Sequence, residues 1–373
     1  MRARELGITV GEGRPGPCNA ITDVAGVRVG HCTLIEGDGP LVIGHGPVRT
    51  GVTVILPPGE VWEQPLFAAP HRLNGNGELT GLEWVRESGM LTSPIALTNT
   101  HSVGIVRDAL IAHQVARRGA EAGRFWALPV VGETWDGMLS DLNGFHVRPE
   151  HVHQAIAAAA GGPVAEGAVG GGTGMICHGF KGGIGTASRV LDLDGGSFTV
   201  GVLLQANHGR RERLSVNGVP VGRMIGPDQV PLPEAPGPSG PPLGSGSIIV
   251  VVATDAPLLP HQCARLAQRA GLGIARTGGV GEHTSGDLFI CFATGNRGMS
   301  AGELDQQNPL TVPLTMLTDG HITPLFDAVV EAVEEAIVNA MLGARTMVGR
   351  DGITAHALPG ERVAQLLEAA PGR

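Results

Sequence analysis

A serine that directly follows a glycine at a loop-to-core junction can cut its own chain. Gly246 and Ser247 stand at such a junction. Before them, Pro227 to Gly246 carries seven prolines and four glycines in twenty residues. Proline lacks the N–H and fixes φ, so no helix or central strand is expected in that loop. After it, Ser247 to Thr254 is a β-branched run typical of a fully buried strand. The Ser247 hydroxyl can attack the Gly246 carbonyl. An N→O acyl shift then gives an ester, and water releases it. The new N-terminal serine has a free α-amine, with a reference pKa of about 7.7–8.0, beside its own hydroxyl, where it can act as base. The residue types alone leave a plain loop–strand junction open.

Other residues have chemistry to offer, each with a plainer alternative. Glu133 and Trp135 follow the apolar Leu128 to Val131. A carboxylate at a strand end can hold a cationic substrate group, or simply occupy a solvated turn. Asn207 ends a second apolar strand and can donate an amide hydrogen to a developing oxyanion, or turn the chain. Ser285 and Asp287 precede a third strand. They put a hydroxyl and a carboxylate at one strand mouth, or make a turn. Gly298 to Gly302 matches G-x-S-x-G around Ser300. That motif works only at a strand–turn–helix elbow. Here Gly295 to Arg297 intervene, and no long apolar helix follows before Pro309. In the glycine-rich stretch Gly170 to Gly185, Phe180 separates Gly179 from Lys181, and Gly182 stands where a phosphate cradle needs Ser or Thr. That stretch reads as tight turns and backbone packing.

The histidines contain no HExxH, and His151 and His153 are two residues apart on an expected Ala-rich helix, on different faces. No metal site is read among the histidines and cysteines, and no cofactor is expected. The five cysteines are odd in number and far apart, with no CxxC pair. Buried free thiols in a reducing compartment are the expectation.

The elements that must position these residues follow from composition and periodicity. The chain has 373 residues, 42% hydrophobic and 16% charged, so most of it should fold around a core. Aromatics make up 3%, with no tyrosine, and the formal net charge is −9. Stacking platforms for single strands and a basic patch for phosphate backbones are both missing, so no nucleic-acid partner is expected. No apolar run reaches the length of a membrane span. Met1 to Pro15 lacks the apolar stretch of a secretory signal, so a cytoplasmic protein without membrane partners is expected. Buried strands are expected at Val52–Leu56, Ile95–Thr98, Phe198–Gln205, Ser247–Thr254 and Leu288–Thr294. Helices are expected with Val106, Leu110, Ile111 and Val115 on one face, from Pro260 through Leu266 and Ala270, and from an N-cap at Thr323 through Met341. Strands apolar on both faces suit sheets covered on both sides, a layered α/β architecture.

Taken together, the chain resembles the L-aminopeptidase/D-esterase family, which includes the β-peptidyl aminopeptidases. The matching stretches are Pro15 to His31, Leu97 to Gly104, Gly171 to Met175, Gly179 to Gly185, Val202 to Gly209, Gly246 to Leu258, Ser285 to Asp287 and Gly349 to Gly352. The resemblance implies a four-layer αββα sandwich. It implies a precursor cut into a large subunit, 1–246, and a small one, 247–373, which share one structural domain. It implies a homo-oligomer, a tetramer, of processed pairs, and metal-free hydrolysis of N-terminal residues from small peptides, amides or esters. By position, Ser247 is the nucleophile and Asn207 the oxyanion donor. Ser285 and Asp287 position the nucleophile and its amine, and Glu133 recognises the substrate's amine. The family commonly has a pocket tyrosine near Glu133. This chain has none, which leaves Trp135 or Met138 in its place.

Two rivals remain on the residues alone: a serine hydrolase built on Ser300, and a non-catalytic binding protein with a linker at 227–246. Self-cleavage at Gly246–Ser247 separates them. Denaturing electrophoresis is expected to resolve two fragments, about two-thirds and one-third of the chain by length. Ser247→Ala should run as a single band, and full processing of that variant would exclude an autocatalytic serine.

Overall fold

The computed structural model describes residues 1–193, 195–234, 246–299 and 309–370, leaving aside the side chains of residues 120, 121 and 124. Two sheets lie face to face. The first contains β1 (Arg28–Glu36), β2 (Val48–Leu56), β5 (Ile95–Asn99) and β6 (Val130–Thr134), in that order. The second contains β3 (Leu66–Gly75), β4 (Met90–Leu91), β9 (Gly183–Leu193), β10 (Gly196–Asn207), β11 (Ser247–Thr254) and β12 (Gly286–Ala293). Its spatial order is β4-β3-β12-β11-β10-β9. A short hairpin of β7 (Ile176–Cys177) and β8 (Phe180–Lys181) stands apart. The pair β11–β12 runs parallel, as does β5–β6, and the other pairs are antiparallel.

Helices cover both outer faces. α1 (Leu82–Ser88) and α4 (Val221–Met224) are short. α2 (Val103–Arg118) and α3 (Pro149–Ala157) pack Val106, Leu110 and Val152 on Val52, Val54 and Val131 of the four-stranded sheet. α5 (Pro260–Arg276) and α6 (Thr323–Leu342) pack Leu266, Ala270, Val333 and Ile337 on Val250, Val252, Phe289 and Cys291 of the six-stranded one. Between the sheets lie Ile55, Ile95, Leu97 and Val130 from one and Leu203, Ile249, Val251 and Ile290 from the other. The layers are helix, sheet, sheet, helix: a four-layer αββα sandwich.

β11 shows why its sequence is apolar throughout. Side chains alternate across a strand. Ile249, Val251 and Ala253 therefore enter the inter-sheet core, while Ile248, Val250 and Val252 meet the helices. All eight of its residues are buried. The five expected strands all lie within or beside observed ones. The helix reading needs two corrections. Ile111 is half-buried and Val115 exposed, because Val115 lies nine residues after Val106, about 180° around a helix turning 100° per residue. The buried face of α2 is Val103, Val106, Ala109 and Leu110. In α6, Thr323 is the first helical residue and Ile322 the N-cap, with no capping side chain.

The glycine-rich stretch ends in β9 rather than in turns alone. A Cβ at Gly185 would come within 1.9 Å of the Ala336 carbonyl oxygen, so glycine here brings the α6 backbone onto the sheet. Along that contact runs a buried ion network. Arg189, fully buried, donates to Glu331 at 2.9 Å and to Glu335 at 2.8 Å. Glu335, also fully buried, accepts further from Arg4 and Asn19. Removing one partner of a buried pair strands the other charge, at about 3–5 kcal/mol. Glu335→Ala leaves Glu331 in place, so a loss of about 3 kcal/mol is expected, read as a lower urea midpoint at unchanged m-value. A loss under about 1 kcal/mol would mean that the pair is energetically idle.

Candidate active site

The site forms where β10, β11 and β12 end together. Ser247 is the first residue of β11 and pairs with Asn207, the last of β10. On its other side, Asp287 of β12 pairs with Ile248. The Gly286 backbone N–H donates to Ser247 Oγ at 3.0 Å, and Ser285 Oγ donates to Asp287 Oδ1 at 2.6 Å. Ser247, Asn207, Ser285 and Asp287 are all buried. Burial pushes the Asp287 carboxyl up to about 6, while bonds from Ser285 and the Ile248 N–H pull it back. Gly246 lies close on the β10 end: a Cβ there would come 1.9 Å from the Asn207 carbonyl oxygen. Only glycine fits at the residue before the nucleophile.

Asn207 is held by two backbone groups. Its Oδ1 accepts from the Ile176 N–H at 2.8 Å, and its Nδ2 donates to the Trp135 carbonyl at 3.0 Å. An amide nitrogen has two hydrogens, so one N–H stays available to a ligand.

The four-stranded sheet contributes the opposing carboxylate. Glu133 sits near the end of β6, buried, and accepts from the Glu78 N–H and from Thr100 Oγ1. Burial raises its pKa against those two bonds. β6 crosses over β11: a Cβ at Gly132 would meet Ile249 at 3.1 Å. A Cβ at Gly77 would lie 3.1 Å from both Glu133 Oε1 and Gly286 Cα, so Glu133 flanks the residue that holds Ser247 Oγ. Glu133 and Asp287 thus both lie next to Gly286, the residue bonded to Ser247 Oγ.

Of Trp135 and Met138, Met138 packs toward Leu139, Ile353 and Ala355, whereas Trp135 joins the site through its carbonyl. Its indole lies over Gly137, where a Cβ would come 2.6 Å from the ring. Sequence reasoning gave no specific role to Asp136, which is buried, pushed up to about 7, and accepts from Asn99 at 2.9 Å. It missed Thr100 and Glu78. These partners lie far from Glu133 in the chain: Thr100 directly follows β5, which pairs with β6, and Glu78 precedes Leu79, which bridges to Gly132.

The remaining sequence expectations lie elsewhere. Lys181 is fully buried, donates to the Met175 and Gly182 carbonyls at 2.6 and 3.0 Å, and is lowered to about 7 by burial. Those bonds brace the backbone of the glycine-rich stretch. His151 Nδ1 accepts the Arg148 N–H at the start of α3, and the His153 ring lies 5.8 Å from that of His113. Ser300 and residues 235–245 of the proline-rich loop fall outside the described residues. A cavity of about 290 Å³ opens at the other end of the four-stranded sheet, beside Trp62, His113 and Phe125, and contains none of the site residues. No helix among the described residues is long and apolar enough to cross a membrane.

Comparison with known proteins gives one consistent picture. The model of peptidase family S58 matches residues 19–355. The beta-peptidyl aminopeptidase BapA of Sphingosinicella microcystinivorans is 48% identical over 98% of this chain and 92% of its own length. A solved beta-aminopeptidase from Burkholderia sp. superposes with a TM-score of 0.91 at 53% identity, with each chain covered fully at 100%. The L-aminopeptidase D-Ala-esterase/amidase of Ochrobactrum anthropi, described as a variant of the Ntn hydrolase fold, superposes at 0.87 with 44% identity, over 98% of both chains.

Removing the Ser285 hydroxyl takes away a bond that favours the Asp287 carboxylate. A hydrogen bond to a charged group is worth about 1.5–3 kcal/mol, or about 1–2 pKa units. Ser285→Ala should therefore move the acid limb of the pH–rate profile upward by that amount. An unmoved limb would detach Asp287 ionisation from the rate.

Proposed function

The chain belongs to peptidase family S58, and we propose that Ser247 is its nucleophile, released by cleavage of its own bond to Gly246. The protein is a hydrolase with an N-terminal nucleophile, an aminopeptidase that also falls within the amidase and esterase range of its relatives. One observation carries the assignment to Ser247. It is the first residue of a buried central strand, with the Gly286 N–H on its Oγ at 3.0 Å and Asn207 beside it.

In the precursor, Ser247 Oγ attacks the Gly246 carbonyl carbon. The C–N bond breaks as the O–C bond forms, and the amine takes the hydroxyl proton. Water then cleaves the ester, leaving Gly246 as a carboxylate and Ser247 with a free α-amine. The closely packed Gly246 supports this reading, because no side chain at that position competes with the attacking serine. Residues 1–246 then form the large subunit and 247–373 the small one. Four strands of the six-stranded sheet come from before the cut and two from after it, so the pieces share one core.

In turnover, the Ser247 α-amine accepts the Oγ proton as Oγ attacks the substrate carbonyl. The free N–H of Asn207 stabilises the oxyanion, a contribution of about 2.7–4 kcal/mol for one such donor. The proton passes to the leaving amine, and water resolves the acyl-enzyme. Asp287, fixed by Ser285, holds the Ser247 amine. Glu133 accepts the substrate's ammonium group, and Trp135 forms part of the pocket wall. Small peptides, amides or esters with a free amine are the substrates. The processed pairs form a homo-oligomer, a tetramer, and the exposed Ile35, Val42 and Ile43 offer apolar surface for that contact. The cytoplasm is the proposed location.

Amine recognition is directly testable. Free amino-acid p-nitroanilides should be cleaved and their N-acetyl forms should not, with discrimination of about tenfold or more for the lost charge-assisted bond. Glu133→Gln should narrow that ratio. Equal turnover of free and blocked substrates would refute the assignment of Glu133.

A further inference from the structure

The tertiary fold assembles a side-chain group that the reading of separate histidines and cysteines missed. Cys177, His178 and His208 are buried together, and one ligand atom from each lies within 4.8 Å of the others. Sequence spacing hid the group, because His208 is 31 residues from Cys177 and only the fold joins them.

The backbone builds this cluster deliberately. Cys177 pairs with Phe180 across the β7–β8 hairpin, so His178 and Gly179 form its turn, both with positive φ, 49° and 70°. The His178 N–H donates to the His208 carbonyl at 2.7 Å, which pins the turn to the end of β10. Gly209, with φ of 86°, lets the His178 ring in: a Cβ there would lie 2.3 Å from the ring. The two rings then stand 5.2 Å apart at 67°.

The donor atoms point to a ligand. His178 Nδ1 lies 3.0 Å from the Arg210 carbonyl, so it carries the proton and Nε2 is the free lone pair. That is the outer-shell bond that usually orients a metal-bound histidine. His178 Nε2 is buried with no hydrogen-bond partner, and on His208 the nitrogen beside the thiol is Nδ1. Cys177 Sγ and His208 Nδ1 are 3.8 Å apart. Tetrahedral angles with Zn–S of about 2.3 Å and Zn–N of about 2.0–2.1 Å require about 3.6 Å between sulfur and nitrogen. One thiolate with two imidazoles is a borderline-soft set that suits zinc and its congeners over magnesium or calcium.

We propose that Cys177, His178 and His208 bind a single zinc-class cation, which lowers turnover by displacing Asn207. The second part rests on the oxyanion role given to Asn207 above. His208 directly follows Asn207, and Cys177 directly follows Ile176, whose N–H holds Asn207 Oδ1. An ion drawing Cys177 and His208 together acts on both sides of that asparagine. Binding deprotonates the Cys177 thiol, and the proton leaves to solvent as the sulfur and two nitrogens donate their lone pairs. The ion is not needed for the reaction and acts against it.

The test uses the full-length processed protein, freed of metal and dialysed against Cd2+ or Zn2+. Expected are one ion per chain, a Cd–thiolate charge-transfer band, one proton released per ion, and a fall in kcat with KM little changed. Cys177→Ser and His178→Gln should each lose the band or weaken binding by at least the about 10–100-fold that outer-shell losses cost. Thermal melting of both variants checks that they are folded. Binding and inhibition that persist unchanged in both folded variants would overturn the site. One bound ion with kcat unaltered would overturn the coupling and leave the assigned role of Asn207 untouched. Loss of activity in the metal-free wild type would instead point to an error in the metal-free mechanism.

Discussion

β11 is hydrogen-bonded between β10 and β12, covered by the other sheet on one face and by α5 and α6 on the other. Its ladder leaves little freedom in where its first residue lies. Ser247 is therefore placed by the register of an entire strand. Asn207 arrives opposite it through the antiparallel pairing and Asp287 beside it through the parallel one. A group held by a rigid element keeps its geometry without a cost at each turnover. The same burial excludes water from the serine, where fixed dipoles act most strongly.

Placing carboxylates in that dry region is unfavourable, and the surrounding bonds show how the cost is met. Asp287, Glu133 and Asp136 are all raised by burial, and each is partly relieved by a hydroxyl, backbone or amide donor. Carboxyl groups poised this way respond to a nearby ammonium, which favours their charged form. The ordinary carboxylate range would leave Asp287 ionised across most working pH. A value of about 6 ties it to protonation near neutrality.

The sheets also hold each other in register. Gln205 of β10 donates to the Thr98 carbonyl of β5 and to Thr134 Oγ1 of β6 at 2.9 Å each, fully buried. These bonds cross the inter-sheet layer beside the site and fix Glu133 relative to Ser247. A polar bridge in an apolar layer favours one alignment, since a slip would also strip the Gln205 N–H groups of their acceptors.

Strand and helix identity were legible in the residues wherever periodicity or β-branched runs dominate, as in Ser247–Thr254, whose bounds match β11. The junction at Gly246 was legible because proline and glycine forbid regular structure just before an apolar run. The set Ser247, Asn207, Ser285, Asp287 and Glu133 could be proposed as local strand-end residues, but nothing in their spacing made them neighbours. Only the order β12-β11-β10 and the crossing of β6 over β11 did that, because strand pairing depends on contacts distant in the chain. For the same reason the partners of Glu133 and the Cys177–His178–His208 group stayed hidden. The outward turn of Val115 is a different case: there the helical angle was already in the sequence, and it, rather than residue type, decided which side chains were buried.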